Sequence, residues 1–383
     1  MRETQILPLV VIALVAALVS VVAMWSMDRA GQGGDLTNTV RGTDAFIEWK
    51  LVTTWPKGLP GLGAAPENFA RRVNEASGGR LRIKVFGAGE IVPPFEVFDA
   101  VSRRVAEAGH GASYYWKGKI PAAVFYTAVP FGMTAQEANG WLHYGGGLAL
   151  WRELYEPFGV VPFAGGSTGV QMAGWFNKRL NNREDLAGLK MRIPGLAGEV
   201  FDAAGGSAVR IAGGEVYTSM QTGVIDAVEW VGPYNDRTLG LMEVGDYYYY
   251  PGWHEPGAML EIIVNKEALA ALPEDLQAIV TVAARATNSD MLDDFTAHNS
   301  ESLEILLRDF DMELLPLPDD VMDILYEQSQ VAVQALIDAD PMAEKIAASY
   351  FDFFQRVRMY HEISERAYLN GRDRVMPPVS FTE

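Results

Sequence analysis

One arginine in an apolar segment is the first candidate for chemistry in this chain. Arg192 lies in the segment GLKMRIPG, residues 188–195. A guanidinium offers a planar fork of donors that matches both oxygens of a carboxylate, and it stays charged at any ordinary pH. Arg192 is therefore a candidate carboxylate-binding residue. The alternative is an ion pair with a nearby acidic side chain, which on spacing alone is the commoner arrangement.

Polar and aromatic residues on both sides of Arg192 extend this candidate site. They are Gln171, Glu229, Trp230, Asn235, His254 and Glu255. Glu229 stands in the mostly apolar run IDAVEWVGPY, residues 225–234, so its carboxylate needs a partner there. That partner is either Arg192 alone or a hard cation held by carboxylate, amide and backbone oxygens. Together these residues suggest binding without catalysis.

Three of these residues and one aromatic pair also have plainer explanations. Gln171 is either a cleft-facing amide or an ordinary solvent-facing residue. His254 and Glu255, taken alone, are typical of a loop surface. Tyr114 and Tyr115 either cap a small ligand from a facing lobe or pack against a neighbouring helix.

A hydrolase reading centres on Ser167, within the nucleophile-elbow pattern GGSTG at residues 165–169. That elbow requires a helix immediately afterwards, whereas residues 170–176 alternate like a strand and include a glycine. The glycine clusters lack the Lys and Ser/Thr of a phosphate-binding loop, and the five histidines form no His-Glu-x-x-His pair. A serine esterase remains the weaker alternative, and a catalytic zinc site has little support.

The charge balance excludes one class of partner. The 383 residues contain 31 Lys and Arg against 49 Asp and Glu, a net charge of −18 that disfavours binding to nucleic acid. An anionic ligand needs local positive charge on such a chain, and Arg192 can supply it. The chain has no cysteine, so thiol chemistry and disulfides are excluded while an oxidising compartment is still compatible.

The N-terminus predicts export. Residues 6–25 are uncharged and follow a lone Arg2, which is typical of an export segment. Residues 1–27 are either a cleaved signal peptide or a retained membrane anchor, and residues 28–43 are a flexible tether. In both cases we expect a periplasmic protein, soluble after cleavage or tethered to the inner membrane by residues 6–25.

The remaining chain reads as two α/β lobes followed by helices. We expect a first lobe over residues 44–163 with a largely parallel sheet, from a strand at 47–53, a helix at 66–76, a strand at 81–86 and a helix at 94–105. Strands near 256–266 complete it. A second lobe covers 164–255, with strands at 170–176 and 227–230 and a helix at 198–204. Residues 267–383 are helical, and an aromatic stripe after Pro341 serves either core packing or dimerisation.

Several phrases, in order, carry a family resemblance. They are TTWP (53–56), SGGRL (77–81), PFG (130–132), TGVQMAGWF (168–176), LKMR (189–192) and EWVGPY (229–234). The chain resembles the DctP-type solute-binding subunits of TRAP transporters, over residues 49–369, and especially the branch that binds 2-oxo acids and similar monocarboxylates. The resemblance implies a two-lobed periplasmic binding-protein fold with crossing strands and a long interlobe helix, closing on its ligand by hinge motion.

The resemblance also implies roles and partners. Arg192 matches the family's carboxylate-binding arginine; Gln171, Glu229 and the Trp230 carbonyl match ligands of a bridging sodium or calcium ion, with Glu255 a weaker fourth ligand. Tyr114 and Tyr115 supply first-lobe contacts. It further implies delivery of a small organic acid to membrane permease subunits, no enzymatic activity, and in some members a homodimer through C-terminal helices. A ligand-binding sensor domain of a signalling system is the alternative in another class.

Overall fold

The computed structural model describes residues 46–377, so the predicted export segment at residues 6–25 and the tether lie outside the described residues. Within residues 46–377, two β-sheets form the centres of two lobes, which confirms the predicted two-lobed α/β architecture. Among the helices of this region, none combines the length and the apolar composition needed to cross a membrane.

The first sheet has five strands in the order β2-β1-β3-β10-β4. Their bounds are β1 Ile47–Thr53, β2 Leu81–Phe86, β3 Ala108–Gly111, β4 Val160–Ser167 and β10 Met259–Asn265. β1 pairs in parallel with β2 and β3, but β10 runs antiparallel to both β3 and β4. The sheet is therefore mixed and not largely parallel as expected, because β4 and β10 carry the chain between the lobes in opposite directions. The boundary expected at residue 163 falls inside β4.

The second sheet has six strands in the order β11-β9-β5-β8-β6-β7. Their bounds are β5 Gly174–Phe176, β6 Lys190–Arg192, β7 Ser207–Val209, β8 Ala227–Val228, β9 Tyr247–Tyr250 and β11 Glu313–Pro316. The predicted strand at residues 170–176 is wrong in its first half, because only Gly174–Phe176 is a strand. The φ of 124° at Gly174, its first residue, breaks the extended backbone from the residues that precede it. The predicted strand at 227–230 is shortened to β8.

Twelve α-helices surround these sheets within the described residues. They are α1 Ala64–Ala76, α2 Val97–Ser102, α3 Ala135–Tyr144, α4 Gly147–Tyr155, α5 Gly195–Ala203, α6 Val216–Gln221, α7 Pro233–Thr238, α8 Lys266–Ala270, α9 Glu274–Asp309, α10 Asp319–Ala339, α11 Pro341–Ile363 and α12 Glu365–Val375. The helix predicted at 94–105 is shorter. A 3₁₀ turn at Pro94–Glu96 precedes α2, and the positive φ of Arg104, 58°, lies beyond its end.

Buried apolar side chains fix how the helices lie on the sheets. In the first lobe, Leu51 of β1 and Phe69 of α1 are fully buried in one cluster with Val280 of α9. The 36-residue α9 contacts β4 and α1 of the first lobe and α7 of the second, so it joins the two lobes. Helix α10 packs on α5 of the second lobe, and α11 packs on α3 and α4.

Candidate functional site

Residues from both lobes line one small cavity. The lining side chains are Trp55, Leu62, Tyr114, Tyr115, Thr168, Gln171, Arg192, Trp230, Val231, Glu255, Ala258 and Leu260. Six of the nine residues proposed from sequence are in this set: Tyr114, Tyr115, Gln171, Arg192, Trp230 and Glu255. Polar groups at one end and apolar ones elsewhere are typical of small-molecule sites.

Arg192 reaches this cavity because it ends strand β6. β6 lies in parallel beside β8, with Arg192 opposite Val228, so Glu229 follows directly after the neighbouring strand. Arg192 Nη1 donates to Glu229 Oε2 at 2.9 Å and to the Glu229 carbonyl at 2.7 Å. Its Nη2 donates to the Tyr115 hydroxyl at 3.4 Å, and the guanidinium lies 4.8 Å from the centre of a Trp230 ring. The ion pair considered from sequence is present, and it forms within the cavity wall.

Three titratable side chains form a buried cluster beside this pair. Ligand atoms of Glu229, His254 and Glu255 lie within 4.8 Å of one another. Burial raises the pKa of Glu255 to about 8, and the nearby Glu229 charge raises it further. Burial also raises the pKa of Glu229 to about 7, opposed by the charge of Arg192. Arg192 balances the charge of one ionised carboxylate, so ionising both Glu229 and Glu255 leaves one buried negative charge that a proton or a bound cation must offset.

His254 belongs to the cluster without lining the cavity. Its Nε2 lies 3.4 Å from Glu229 Oε1, and neither ring nitrogen has a hydrogen-bond partner. Burial lowers its pKa to about 4, so the ring is neutral at neutral pH. The burial of His254 and Glu255, 1% and 3% exposed, rules out the loop-surface explanation considered for them.

Gln171 contacts the cluster through its amide nitrogen and leaves its side-chain oxygen without a hydrogen-bond partner. Its Nε2 donates to Glu255 Oε2 at 2.7 Å and to Thr168 Oγ1 at 3.0 Å, which identifies the other amide atom as an acceptor. That oxygen, Oε1, is buried and has no hydrogen-bond partner. The residue lies in the connection between β4 and β5 and is 4% exposed, so a solvent-facing role does not apply. A buried orphan acceptor costs about 1–3 kcal/mol, which a bound cation or donor would recover.

Aromatic rings close the cavity on the side of the first lobe. Tyr114 and Tyr115 lie in a 3₁₀ turn, Ser113–Trp116, after β3, and both are buried. The Tyr115 ring centre lies 5.9 Å from that of Trp55, and Trp55 meets Trp230 of the second lobe edge to face at 6.3 Å. Ligand capping and packing, the two explanations weighed for the tyrosines, are both compatible with this arrangement.

Asn235 lies behind the cavity and does not line it. The side chain is fully buried, accepting from Trp230 Nε1 at 3.3 Å and donating to the Pro60 carbonyl at 2.7 Å. Sequence reasoning did not single out Trp55, Leu62, Thr168, Val231, Ala258 or Leu260 as lining residues. The Pro- and Gly-rich segment at residues 56–63 was the available signal for the first two, because such a segment after a strand predicts a loop at a cleft.

The local structure at Ser167 does not support the hydrolase alternative. Ser167 ends β4, and residues 168–173 continue as irregular chain with no helix. Its hydroxyl oxygen accepts from the Gly169 backbone N–H at 3.3 Å. A nucleophile elbow places its serine on a strand-to-helix turn, so this segment lacks the required geometry.

Comparison with known proteins gives three results. The model of the family described as bacterial extracellular solute-binding protein, family 7 (DctP), matches residues 51–339. A monocarboxylate 2-oxoacid-binding periplasmic protein of Nostoc sp. is 40% identical over 334 residues, covering 87% of this chain and 91% of the relative.

Two of the solved structures that share the fold are similar to this chain in sequence as well. One is a TRAP periplasmic solute-binding protein from Colwellia psychrerythraea with bound calcium and pyruvate: 41% identity, TM-score 0.83, 85% of this chain and 99% of that one covered. The other is a TRAP periplasmic solute-binding protein from Pseudoalteromonas atlantica with bound sodium and pyruvate: 40% identity, TM-score 0.82, with the same coverage of both chains.

Proposed function

This chain belongs to the DctP family of bacterial extracellular solute-binding proteins, and we propose that it captures a small 2-oxo monocarboxylate, pyruvate first among them, together with a metal ion. The observation that carries the proposal is the orphan oxygen of Gln171 beside the buried Glu229–Glu255 pair, with Arg192 in the same cavity wall. The site combines one anion-binding pole and one cation-binding pole.

Arg192 is the anion-binding pole. Its guanidinium is buried against Trp230 and donates a hydrogen bond to Glu229. A ligand carboxylate that enters the cavity therefore meets a desolvated cation that neighbouring groups hold in place. A charge-assisted pair in such surroundings is stronger than the same pair in water. Tyr115, which accepts a hydrogen bond from Arg192, lies next to the position that the ligand would take.

The residues present fit a hard cation at the other pole. Gln171 Oε1, the carboxylates of Glu229 and Glu255 and the Trp230 carbonyl are all oxygens, the ligand type that calcium and sodium prefer. A bound ion would attract the ligand's oxygens and neutralise the two carboxylates.

The formal charges favour a divalent ion at this pole. Two ionised carboxylates and one arginine carry one net negative charge, and a monocarboxylate makes two. Calcium balances this sum, whereas sodium leaves one negative charge in a dry site. We therefore place calcium ahead of sodium.

Transport, and not turnover, is the role that this site supports. A cavity built from a cation-binding pole, an anion-binding pole and aromatic walls holds its ligand through reversible contacts. We propose that the protein is not an enzyme, that it works in the periplasm, and that it delivers its ligand to TRAP membrane permease subunits. Whether residues 6–25 are cleaved or keep the protein tethered is a matter for N-terminal sequencing of the exported chain.

Exposed apolar side chains on the C-terminal helices support a homodimer through this region. Tyr360 and Ile363 at the end of α11 and Tyr368 on α12 are 64%, 76% and 69% exposed. Large apolar side chains exposed close together along the chain are typical of an interaction site.

Isothermal titration calorimetry with pyruvate tests the ligand and the metal together. Wild-type protein stripped with EDTA should bind pyruvate weakly, and added CaCl₂ should restore tight binding. Arg192→Ala should abolish detectable binding, and Arg192→Lys should weaken it by at least about tenfold, because an ammonium cannot reproduce the bidentate fork.

Arg179→Ala is the matched control, because Arg179 is an exposed arginine of the same lobe that pairs with Glu313. Its affinity should equal that of the wild type. Circular dichroism must show that the Arg192 variants are folded, since removing one partner of a buried pair costs about 3–5 kcal/mol. Undiminished pyruvate binding by folded Arg192→Ala would overturn the proposal.

A further inference from the structure

We infer that Asn235 couples occupancy of the cavity to closure of the two lobes. The inference rests on the proposed binding function and assigns Asn235 a positioning role instead of a ligand contact. Its side-chain oxygen accepts from the indole N–H of Trp230, which lines the cavity, and its amide N–H donates across the cleft to the Pro60 carbonyl of the first lobe. One fully buried amide thus joins a cavity wall to the opposite lobe.

Both the oxygen and the nitrogen of the Asn235 amide are hydrogen-bonded. Asn235 sits in the first turn of α7, directly after the Glu229–Trp230 segment, and is 0% exposed. The bond to Pro60 is short, 2.7 Å, and links positions 175 residues apart in the chain. When the cleft opens, water replaces the Pro60 carbonyl as the partner of this amide, so the bond favours the closed position of Pro60 by the modest net contribution of one hydrogen bond.

The loop that carries Pro60 also forms part of the cavity wall. This loop follows β1, and its Trp55 and Leu62 line the cavity. The Trp55 ring meets the Trp230 ring edge to face across the cleft, with the centres 6.3 Å apart. The loop therefore contacts the second lobe at two points, the indole pair and the Pro60–Asn235 hydrogen bond.

Hydrogen bonds within the first lobe hold this loop in place. The indole N–H of Trp55 donates to His110 Nδ1 at 2.9 Å, and His110 Nε2 lies 3.2 Å from the Gly165 carbonyl of β4. Because Nδ1 accepts, Nε2 carries the proton and donates to Gly165. The loop thus moves with the first lobe as a unit. The Pro60–Asn235 hydrogen bond therefore forms only when the two lobes are close together.

Trp230 connects Asn235 to the position of the ligand. Trp230 lies under the Arg192 guanidinium, 4.8 Å from it, and its indole nitrogen is fixed by Asn235. A carboxylate drawn to Arg192 therefore stabilises the Trp230 position that presents Asn235 to Pro60. In the reverse direction, the Asn235–Pro60 bond keeps Trp230 over a bound ligand and slows its escape.

Double electron–electron resonance measures closure directly. The chain has no cysteine, so Glu75→Cys in the first lobe and Gln221→Cys in the second give two unique spin-label positions, both exposed. Distances are recorded with and without pyruvate and CaCl₂, and pyruvate dissociation is followed by stopped-flow fluorescence. Asn235→Ala removes both hydrogen bonds, and Asn235→Asp keeps the acceptor for Trp230 but removes the donor to Pro60.

Both variants should lose part of the short-distance population and release pyruvate about two- to tenfold faster, the change expected for one hydrogen bond. Asn181→Ala and Asn181→Asp are matched controls, because Asn181 is an exposed amide of the same lobe, bonded to Asp185. They should behave as the wild type does. Thermal melts establish that every variant is folded.

Unchanged distances and dissociation rates in both Asn235 variants would overturn the inference, as would a wild-type chain that never populates the short distance. Failure of the binding proposal looks different: no heat with pyruvate in calorimetry, while the Asn235 variants still shift the ligand-free distance distribution. That result would support the closure role and reject pyruvate.

Discussion

Individual residues in this protein acquire their chemistry from burial. Arg192 and Glu229 are 2% and 1% exposed, so their ion pair is shielded from water. Its interaction energy therefore depends strongly on the neighbouring charges. A similar residue outside the cavity, Glu261 of β10, is 0% exposed and accepts from Trp116 Nε1 and from the Tyr155 hydroxyl. Burial raises its pKa to about 8.

Glu261 should make the stability of the protein depend on pH. The folded state keeps a proton on Glu261 up to about pH 8, whereas the unfolded chain releases it near the ordinary pKa of 4.5. The free energy of unfolding therefore falls as the pH rises through this window. The variant Glu261→Gln cannot ionise at this position, so its free energy of unfolding should not fall in this way. Relative to the wild type, its free energy of unfolding should rise by on the order of a few kcal/mol between pH 5 and pH 8.

Urea denaturation at several pH values measures this difference. Glu156→Gln is the control, since Glu156 is exposed and pairs with Lys266 on the surface. Its difference from the wild type should be small at every pH. Parallel pH profiles for Glu261→Gln and the wild type would show that Glu261 is ionised in the folded protein.

Secondary-structure elements bring the site together through short strands. Arg192 and Glu229 become neighbours because β6 and β8 are parallel and both end at the same edge of the second sheet. β5 lies on the other side of β8, and the chain leading into it carries Gln171. The geometry of this edge depends on close packing of β5 against β8, which Gly174 permits.

Gly174→Ala should destabilise the second lobe. Gly174 has a φ of 124°, and a Cβ built there would lie 2.4 Å from the Val228 carbonyl oxygen, a backbone atom of β8. Backbone strain and the clash together should cost at least about 2 kcal/mol of unfolding free energy. Urea denaturation measures the change.

Gly214→Ala is the matched control, because a Cβ at Gly214 meets nothing within 4 Å and its φ is not positive. Its stability should lie within about 0.5 kcal/mol of the wild type. Equal stabilities of the two variants would contradict the claim that β5 needs a glycine.

At the scale of the whole molecule, long helices join parts that the sheets keep apart. α9 contacts both lobes, and α10 and α11 pack on the second and first lobe respectively. α12 extends beyond this packing, since it has no buried residue. At the end of α11, His361 pairs with Glu137 of α3, but Met359 and Ile363 are exposed. An unpartnered helix pair of this kind is where we expect a second copy of the chain.

Met359→Glu combined with Ile363→Glu should convert a dimer into a monomer. Both side chains are at least 70% exposed on one face of α11, and burying two new carboxylates in an interface is unfavourable. Sedimentation velocity measures the mass of each species. Val282→Glu, on an exposed position of α9, is the control and should leave the mass unchanged. A monomeric wild type would reject the dimer.

The local sequence was sufficient to predict those features that depend on a single helix or strand. The strand at 81–86 and the long helices after residue 274 could be predicted from the spacing of their apolar residues and from the Gly and Pro residues at their ends. An alternating or amphipathic run that is bounded in this way is compatible with few other secondary structures. The net charge and the absence of cysteine set the class of ligand site before any contact is known. The sequence segments that resemble the DctP family indicated which residue types form the site.

Tertiary structure decided what those residues face. Gln171 lies in irregular chain and not in the expected strand, and only its buried position leaves its oxygen without a partner. The sequence predicted that Asn235 contacts the ligand, but in the structure its amide forms hydrogen bonds with Trp230 and with the Pro60 carbonyl. Spacing along the chain carries no information about such contacts, because they join residues from two lobes whose separation depends on packing and closure.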